Sequence, residues 1–329
     1  MLQGEATLRY LLEPLGPILA TAGVTEVVIN KPGEVGVERD GSWYWHDVPQ
    51  LDFDALDAIG ILAGQLMAKD FDPQRPICLC TLPDGQRFTI IRPPVTAQGT
   101  IVATIRVPSH ARRTVDDAGF ADMMAEVNAP NARKMQRDQR LIDLYRTGDW
   151  PAFFRLAVES RRTILATGAT GSGKTTLLKR LLDAIPRDER LATIEDTDEF
   201  GVLPHRNRVA LFYGSAGVTS EHLVEASLRM RPDRVAMQEL RGAEAFSYLR
   251  VLLAGHPGGL TTLHADRGAD EAFEALAVMV KQHPAGREIP DDKLRGLIRR
   301  LIDIVVWCVR DERGFSAPYV YFRDAEVSV

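Results

Sequence analysis

Apolar positions change their period along this chain, and the changes divide it into parts. Near the start, "EVVINKP" (26–32) and "EVGVERDGSWYWHDV" (34–48) are rich in β-branched and aromatic residues, which suit a pleated, half-buried surface. Asp40-Gly41 supplies the turn of a hairpin, because both residues tolerate positive φ. From Asp52 to Lys69 the period lengthens: Phe53, Leu56, Ile59, Leu62, Ala63 and Leu66 recur at three- and four-residue steps and predict a helix. "ICLCTLPDGQRFTIIRPP" (77–94) predicts a second hairpin about Asp84-Gly85, stopped by paired prolines, and "TIVATIRVPS" (100–109) a further strand. Residues 1–110 therefore read as a small α+β domain.

From His110 to about Trp150 the chain is polar and irregular, and 111–150 reads as a linker. Within it Arg133, Arg137 and Arg140 would form a basic stripe on a helix. Such a stripe is either a solvated face or a contact for anionic lipid headgroups or an acidic neighbour.

Residues 151–329 then alternate. Helix "PAFFRLAVESR" is followed by strand "RTILATG", a helix with Leu177, Leu178, Leu181, Leu182 and Ile185 on one face, and strand "RLATIED". Helix "TSEHLVEASLRM", strand "RVAMQEL", helix "AEAFSYLRVLLAG", strand "GLTTLHA" and helix "DEAFEALAVMVKQ" continue the series. Strands separated by single helices predict an α/β domain with a mostly parallel, covered sheet.

Composition narrows the class. With 45% hydrophobic and 26% charged residues over 329 positions, the chain has the usage of a soluble globular protein of about two domains. A net charge of −5 provides no global positive field for nucleic acid, so no sequence-specific nucleic-acid partner is expected. Cys78, Cys80 and Cys308 are too few for a disulfide framework and fit a reducing compartment. "PLGPILATAGV" (14–24) lacks the basic start and cleavage pattern of a signal peptide, and "IDIVVWCV" (302–309) falls short of the ~18 residues that span a bilayer. The expectation is a cytoplasmic protein, peripheral to a membrane if it meets one.

Candidate chemistry centres on "GATGSGKTT" (168–176), which satisfies G-x-x-x-x-G-K-[ST] between a strand and an amphipathic helix. Gly168, Ala169, Thr170, Gly171, Ser172 and Gly173 would wrap a polyphosphate in backbone N–H groups at a helix N-terminus. Lys174 would reach the β and γ phosphates of a nucleoside triphosphate, Thr175 would ligate Mg²⁺, and Thr176 completes the loop. Hydrolysis also needs acids and cations nearby. "TIEDTDEF" ends one strand with Glu195, Asp196, Asp198 and Glu199, and "RVAMQELRG" ends another with Gln238 and Glu239. Strand carboxyl ends are where such sheets bind ligands. Arg229, Arg231 and Arg241 flank the second strand as possible holders of these acids. His264, after "GGLTTL", has no metal-site or triad spacing around it, yet it closes another strand of the same sheet.

In order and spacing, "GATGSGKTT", "ERLATIEDTDEF", "SLRMRPDRVAMQELRGAEA" and "GHPGGLTTLHA" resemble the traffic ATPases of type II and type IV secretion, and most closely the VirB-class ATPase of type IV secretion. The resemblance covers the second domain. It implies a RecA-like P-loop NTPase fold, preceded by a smaller, PAS-like α+β domain. It implies a homohexameric ring bound to inner-membrane secretion-system subunits at the membrane's cytoplasmic face, with nucleotide held between the domains and beside the next subunit. By position Lys174 and Thr175 are Walker A, Glu195 and Glu199 the Asp box, Glu239 the Walker B acid and His264 the His box, a γ-phosphate sensor. Metal contacts would fall to Thr175, Glu195 and Glu239. Glu239 would orient the attacking water, with Glu195 its rival. The family's cationic clamps match best at Arg106, with Arg92 and Arg113 behind it. Gln238 departs from the glycine usual before the Walker B glutamate, which keeps open a scaffold that binds ATP but barely turns it over. Three cysteines cannot build the four-cysteine zinc module of many type II enzymes, which favours the type IV branch or a pilus or conjugation relative. A nucleic-acid translocating ring is the competing motor.

Overall fold

The computed structural model of the chain describes residues 4–108, 115–116, 118–124, 131–266 and 268–326. The amino-terminal domain is a six-stranded antiparallel sheet. Its strands are β1 (Val24–Lys31), β2 (Glu34–Arg39), β3 (Ser42–Asp47), β4 (Ile77–Thr81), β5 (Arg87–Ile91) and β6 (Val102–Arg106), in the order β3-β2-β1-β6-β5-β4. Asp40 and Gly41 turn the β2–β3 hairpin with φ of 52° and 76°, the pair of left-handed conformations that a tight primed turn requires. The helix Phe53–Leu66 starts at Asp52, whose carboxylate accepts from the Ala55 N–H at 2.9 Å. Its Leu56, Ile59 and Ala63 close a core over Val27, Ile29, Phe88 and Ile90.

The second domain is a seven-stranded sheet of β7 (Ile164–Thr167), β8 (Leu191–Glu195), β9 (Arg208–Phe212), β10 (Arg234–Met237), β11 (Leu260–Leu263), β12 (Ile304–Asp311) and β13 (Gly314–Phe322). The order is β13-β12-β7-β11-β10-β8-β9, parallel except where β13 returns against β12. Alternation along the strands makes two cores. Leu165, Val235, Met237 and Val305 face the helices Ser220–Leu228, Glu244–Leu253 and Ala269–Gln282. Ile164, Ala166, Ala236, Ile304 and Val306 face Trp150–Glu159 and Lys174–Asp183. The sequence reading lacks β9, the helix Asp291–Leu301 and the hairpin built from the apolar run at 302–309.

The segment read as linker is partly built into this domain. The helix Ala132–Thr147, capped by Asn131 and ended by left-handed Gly148, buries Leu141 and Ile142 beside Phe153. Arg133, Arg137 and Arg140 lie on its exposed face. Residues 111–114, 117 and 125–130 of the segment fall outside the described residues, and Arg113 is among them.

The amino-terminal sheet stands against β9 and the amino ends of β8 and β10. Buried Arg190 donates to Asn30 Oδ1 at 2.9 Å, Thr104 Oγ1 at 3.2 Å and the Met230 carbonyl at 2.8 Å. Arg206 bonds Glu34 at 2.8 Å and lies over Trp45, while Arg231 pairs with Glu38 and lies over Trp43. The Phe212 N–H donates to the Val95 carbonyl at 2.7 Å. Among the described residues no helix is long and apolar enough to cross a membrane.

Candidate functional site

β7 runs into the loop 168–173, which turns through left-handed Gly168, Gly171 and Gly173 with φ of 137°, 73° and 93°. A side chain at Gly168 would collide with the Cys308 carbonyl of β12, and one at Gly173 would lie 3.0 Å from the Phe315 ring. The helix Lys174–Asp183 then begins with no side chain capping its first turn, so its N–H groups face the loop. Ser172 Oγ is buried without a partner among the described residues. Lys174 is buried and its ammonium donates to the carbonyls of Gly168 and Ala169, both at 2.9 Å. Burial lowers its pKa, and the Glu239 carboxylate opposes that shift. Thr175 is half-buried and Thr176 exposed. An uncapped helix start, an unsatisfied hydroxyl and a buried cation in a tight glycine turn fit a polyphosphate.

From Lys174 a chain of polar contacts crosses the sheet. Lys174 Nζ lies 3.4 Å from His264 Nδ1, and His264 Nε2 lies 2.7 Å from Glu239 Oε1. Arg241 donates to Glu239 Oε2 at 2.6 Å and to Asp196 Oδ2 at 2.8 Å. Each member stands just past the carboxyl end of its strand, and β7, β11, β10 and β8 are consecutive in the sheet. Parallel order therefore lines up residues far apart in the chain. With Nδ1 facing the Lys174 ammonium and Nε2 facing the Glu239 carboxylate, Nε2 is the ring nitrogen placed to donate to the acid. Arg241, Asp196 and Glu239 surround Tyr213, whose pKa burial pushes up to about 12.

Glu195 is not part of this chain of contacts, contrary to the expectation of a metal-binding or water-orienting acid. It is fully buried, with Oε1 accepting from Arg208 at 2.9 Å and Thr193 at 3.0 Å, and Oε2 from the Phe200 N–H at 2.8 Å. Both oxygens are committed to holding the turn after β8. Burial raises its pKa, against those donors. The neighbouring Asp196 faces the site instead, because successive side chains of a strand point to opposite sides. Arg208 carried no signal, since β9 itself was not read from the sequence.

Gln238 also has a structural duty. Its Oε1 accepts the Asp196 N–H at 2.9 Å and its carbonyl accepts from Thr262 Oγ1 at 2.9 Å, tying β10 to both neighbours. Among the described residues no group of three or more His, Cys, Asp or Glu is placed to hold a metal ion. A Mg²⁺ ion here would thus depend mainly on phosphate oxygens, with Thr175 and Glu239 as the chain's contribution.

The arginines divide. Arg241 braces the acids, whereas Arg231 turns to Glu38 of the other domain. Arg92 pairs with Asp57. Arg106 is exposed, 3.8 Å from Glu26, and lines a cleft of about 600 Å³ with Arg87, Arg229, Arg231 and His256. That cleft lies at the amino ends of β10 and β11, so Arg106 does not join its own phosphate loop.

A family model described as "Type II/IV secretion system protein" matches residues 132–310. The chain is 40% identical over 308 residues to the type IV secretion system protein VirB11 of Brucella suis biovar 1, covering 92% of this chain and 85% of that one. It is 39% identical over 315 residues to the protein VirB11 of Agrobacterium fabrum, covering 92% and 89%. The crystal structure of the VirB11 ATPase from the Brucella suis type IV secretion system, in complex with sulphate, superposes with a TM-score of 0.88 at 37% identity, covering 99% of this chain and 98% of that one. With these identities spread over both domains, and a phosphate loop joined to a strand-end histidine and glutamate, the chain belongs to the type II/type IV secretion ATPase family and is an ATPase similar to the VirB11 proteins.

Proposed function

We propose that the chain is a Mg²⁺-dependent ATP hydrolase that works as a homohexameric ring, energising assembly of a type IV secretion apparatus or passage of its substrate. The ring would sit on inner-membrane subunits at the cytoplasmic surface. The observation that carries the reading is the continuous contact Lys174–His264–Glu239–Arg241–Asp196 along four adjacent strand ends.

In this reading the loop N–H groups and Lys174 hold the phosphates, and Lys174 exchanges its bonds to the Gly168 and Ala169 carbonyls for phosphate oxygens. Mg²⁺ would neutralise developing charge, with Thr175 and Glu239 turned toward it. Glu239, held in place by the Arg241 guanidinium, orients the attacking water and receives its proton. His264 stands between the phosphate-binding cation and that acid, so a γ-phosphate against Lys174 competes for the imidazole. This makes the ring a sensor of hydrolysis.

A ring also gives Arg106 its place. Head-to-tail contacts set one face of a subunit against a different face of the next. The arginine cleft faces away from its own loop, which suits it to clamp phosphates held by the neighbour. Two measurements test the proposal together: the mass of the purified protein with and without a non-hydrolysable ATP analogue, and hydrolysis with and without Mg²⁺. A monomer under both nucleotide conditions, or turnover indifferent to Mg²⁺, would overturn it.

A further inference from the structure

The phosphate loop has two unlike flanks. On the β11 side stand His264, Glu239, Arg241 and Asp196, the charged and polar row that continues from Lys174. On the other side β12 and β13 form a hairpin, and there the groups are of a different kind. Arg310 and Phe315 are directly paired across the two strands, and the Arg310 guanidinium lies 5.2 Å from the Phe315 ring centroid. Phe315 is 62% exposed and belongs to neither hydrophobic core of the domain. Its ring nevertheless reaches the loop, 3.0 Å from where a side chain on Gly173 would begin.

Phe315 therefore presents a large apolar ring to solvent beside the phosphate loop, and a flat ligand laid on it would gain from leaving water. The charged flank fixes the direction of a bound triphosphate, with its γ end toward His264 and Glu239. The remainder of the nucleotide must then leave over the opposite flank, where Phe315 offers a flat face. Aromatic rings stack on nucleobases because both present polarisable π surfaces, and an arginine on the ring adds a cation that also fits a base plane.

We propose that Phe315, braced by Arg310, is the platform on which the base of the bound nucleotide stacks. The proposal rests on the reading of 168–176 as the nucleotide site. It assigns the hairpin a share of the affinity that the phosphates do not supply. Because stacking accepts any base, the platform adds affinity more than discrimination among bases.

The test compares equilibrium binding of ATP and of inorganic tripolyphosphate, which has no base, by titration calorimetry on the full chain. The expected result is that Phe315→Ala weakens ATP roughly tenfold or more, the cost of one lost base–aromatic stack. Tripolyphosphate affinity should stay at the wild-type value, which also shows that the variant is folded, and Phe315→Trp should restore ATP binding. Wild-type ATP affinity in Phe315→Ala, or equal losses of both ligands, would overturn the platform. If Lys174→Ala left both affinities unchanged, the loop reading itself would fall, and the platform with it.

Discussion

His264 Nε2 and Glu239 Oε1 are 2.7 Å apart, although 25 positions separate them in sequence and each terminates a different strand. The contact exists because β10 and β11 are neighbours, paired in parallel at Ala236 and Leu260, so their carboxyl ends emerge side by side. Lys174 Nζ on the other side of the imidazole makes the histidine the bridge between the phosphate-binding cation and the acid.

Replacing that bridge should separate binding from turnover. His264→Ala is expected to keep ATP affinity within a few-fold while hydrolysis falls by about 10²-fold, the typical cost of losing one positioned polar group in a reacting site. Steady-state hydrolysis alongside binding of a fluorescent ATP analogue checks this, and unchanged turnover would return His264 to a structural role.

Glu239→Gln keeps the side chain's shape and removes its charge. Hydrolysis should drop by about 10²- to 10⁴-fold with nucleotide still bound, as expected when a general base is lost. Turnover at the wild-type rate would show that another group orients the water.

The buried partner of Glu195 should govern stability rather than chemistry. Arg208→Ala removes the guanidinium at 2.9 Å and leaves a fully buried carboxylate short of a donor. Breaking such a pair costs about 3–5 kcal/mol, readable as a lower denaturation midpoint in urea. A midpoint within error of wild type would contradict the arrangement of the turn after β8.

Glu26 gives a dependence on pH. Burial raises its pKa from 4.5 to about 7, with Arg106 the largest opposing influence, and its Oε2 has no hydrogen-bond partner among the described residues. Because the folded state holds this proton more tightly than the unfolded chain, Glu26 favours folding fully below pH 4.5 and loses that contribution as pH rises to about 7. Glu26→Gln, which cannot ionise, should therefore gain stability relative to wild type as pH climbs through that window. Thermal midpoints of both proteins at pH 5 and pH 8 measure the difference, and a constant offset would exclude an ionising Glu26.

Much of this was legible beforehand because it is local. The phosphate loop needs a strand, a glycine turn and a helix start that are contiguous, so "GATGSGKTT" carried its own geometry. The Asp40-Gly41 turn and the helix Phe53–Leu66 were equally readable, since period and turn chemistry depend on neighbouring residues. Glu239 and His264 were found as strand-end residues in a recognisable order. β9 was missed because five residues of half-buried strand are weak evidence without a partner, and the loss of β9 hid Arg208.

The sequence by itself determined which residues can bind phosphate and which carry charge at strand ends. Only the tertiary structure decided which of them meet. Strand order brings Lys174, His264, Glu239 and Asp196 into one row, while Arg208 on β9 withdraws Glu195 into the interior. Packing of the first sheet puts Arg106 at the amino ends of β10 and β11, whereas its own loop follows the carboxyl end of β7, at the opposite edge of the parallel strands. The physical reason is that side-chain chemistry is a property of the residue, whereas proximity between distant residues depends on which strands pair, and pairing is settled by burial over the whole domain.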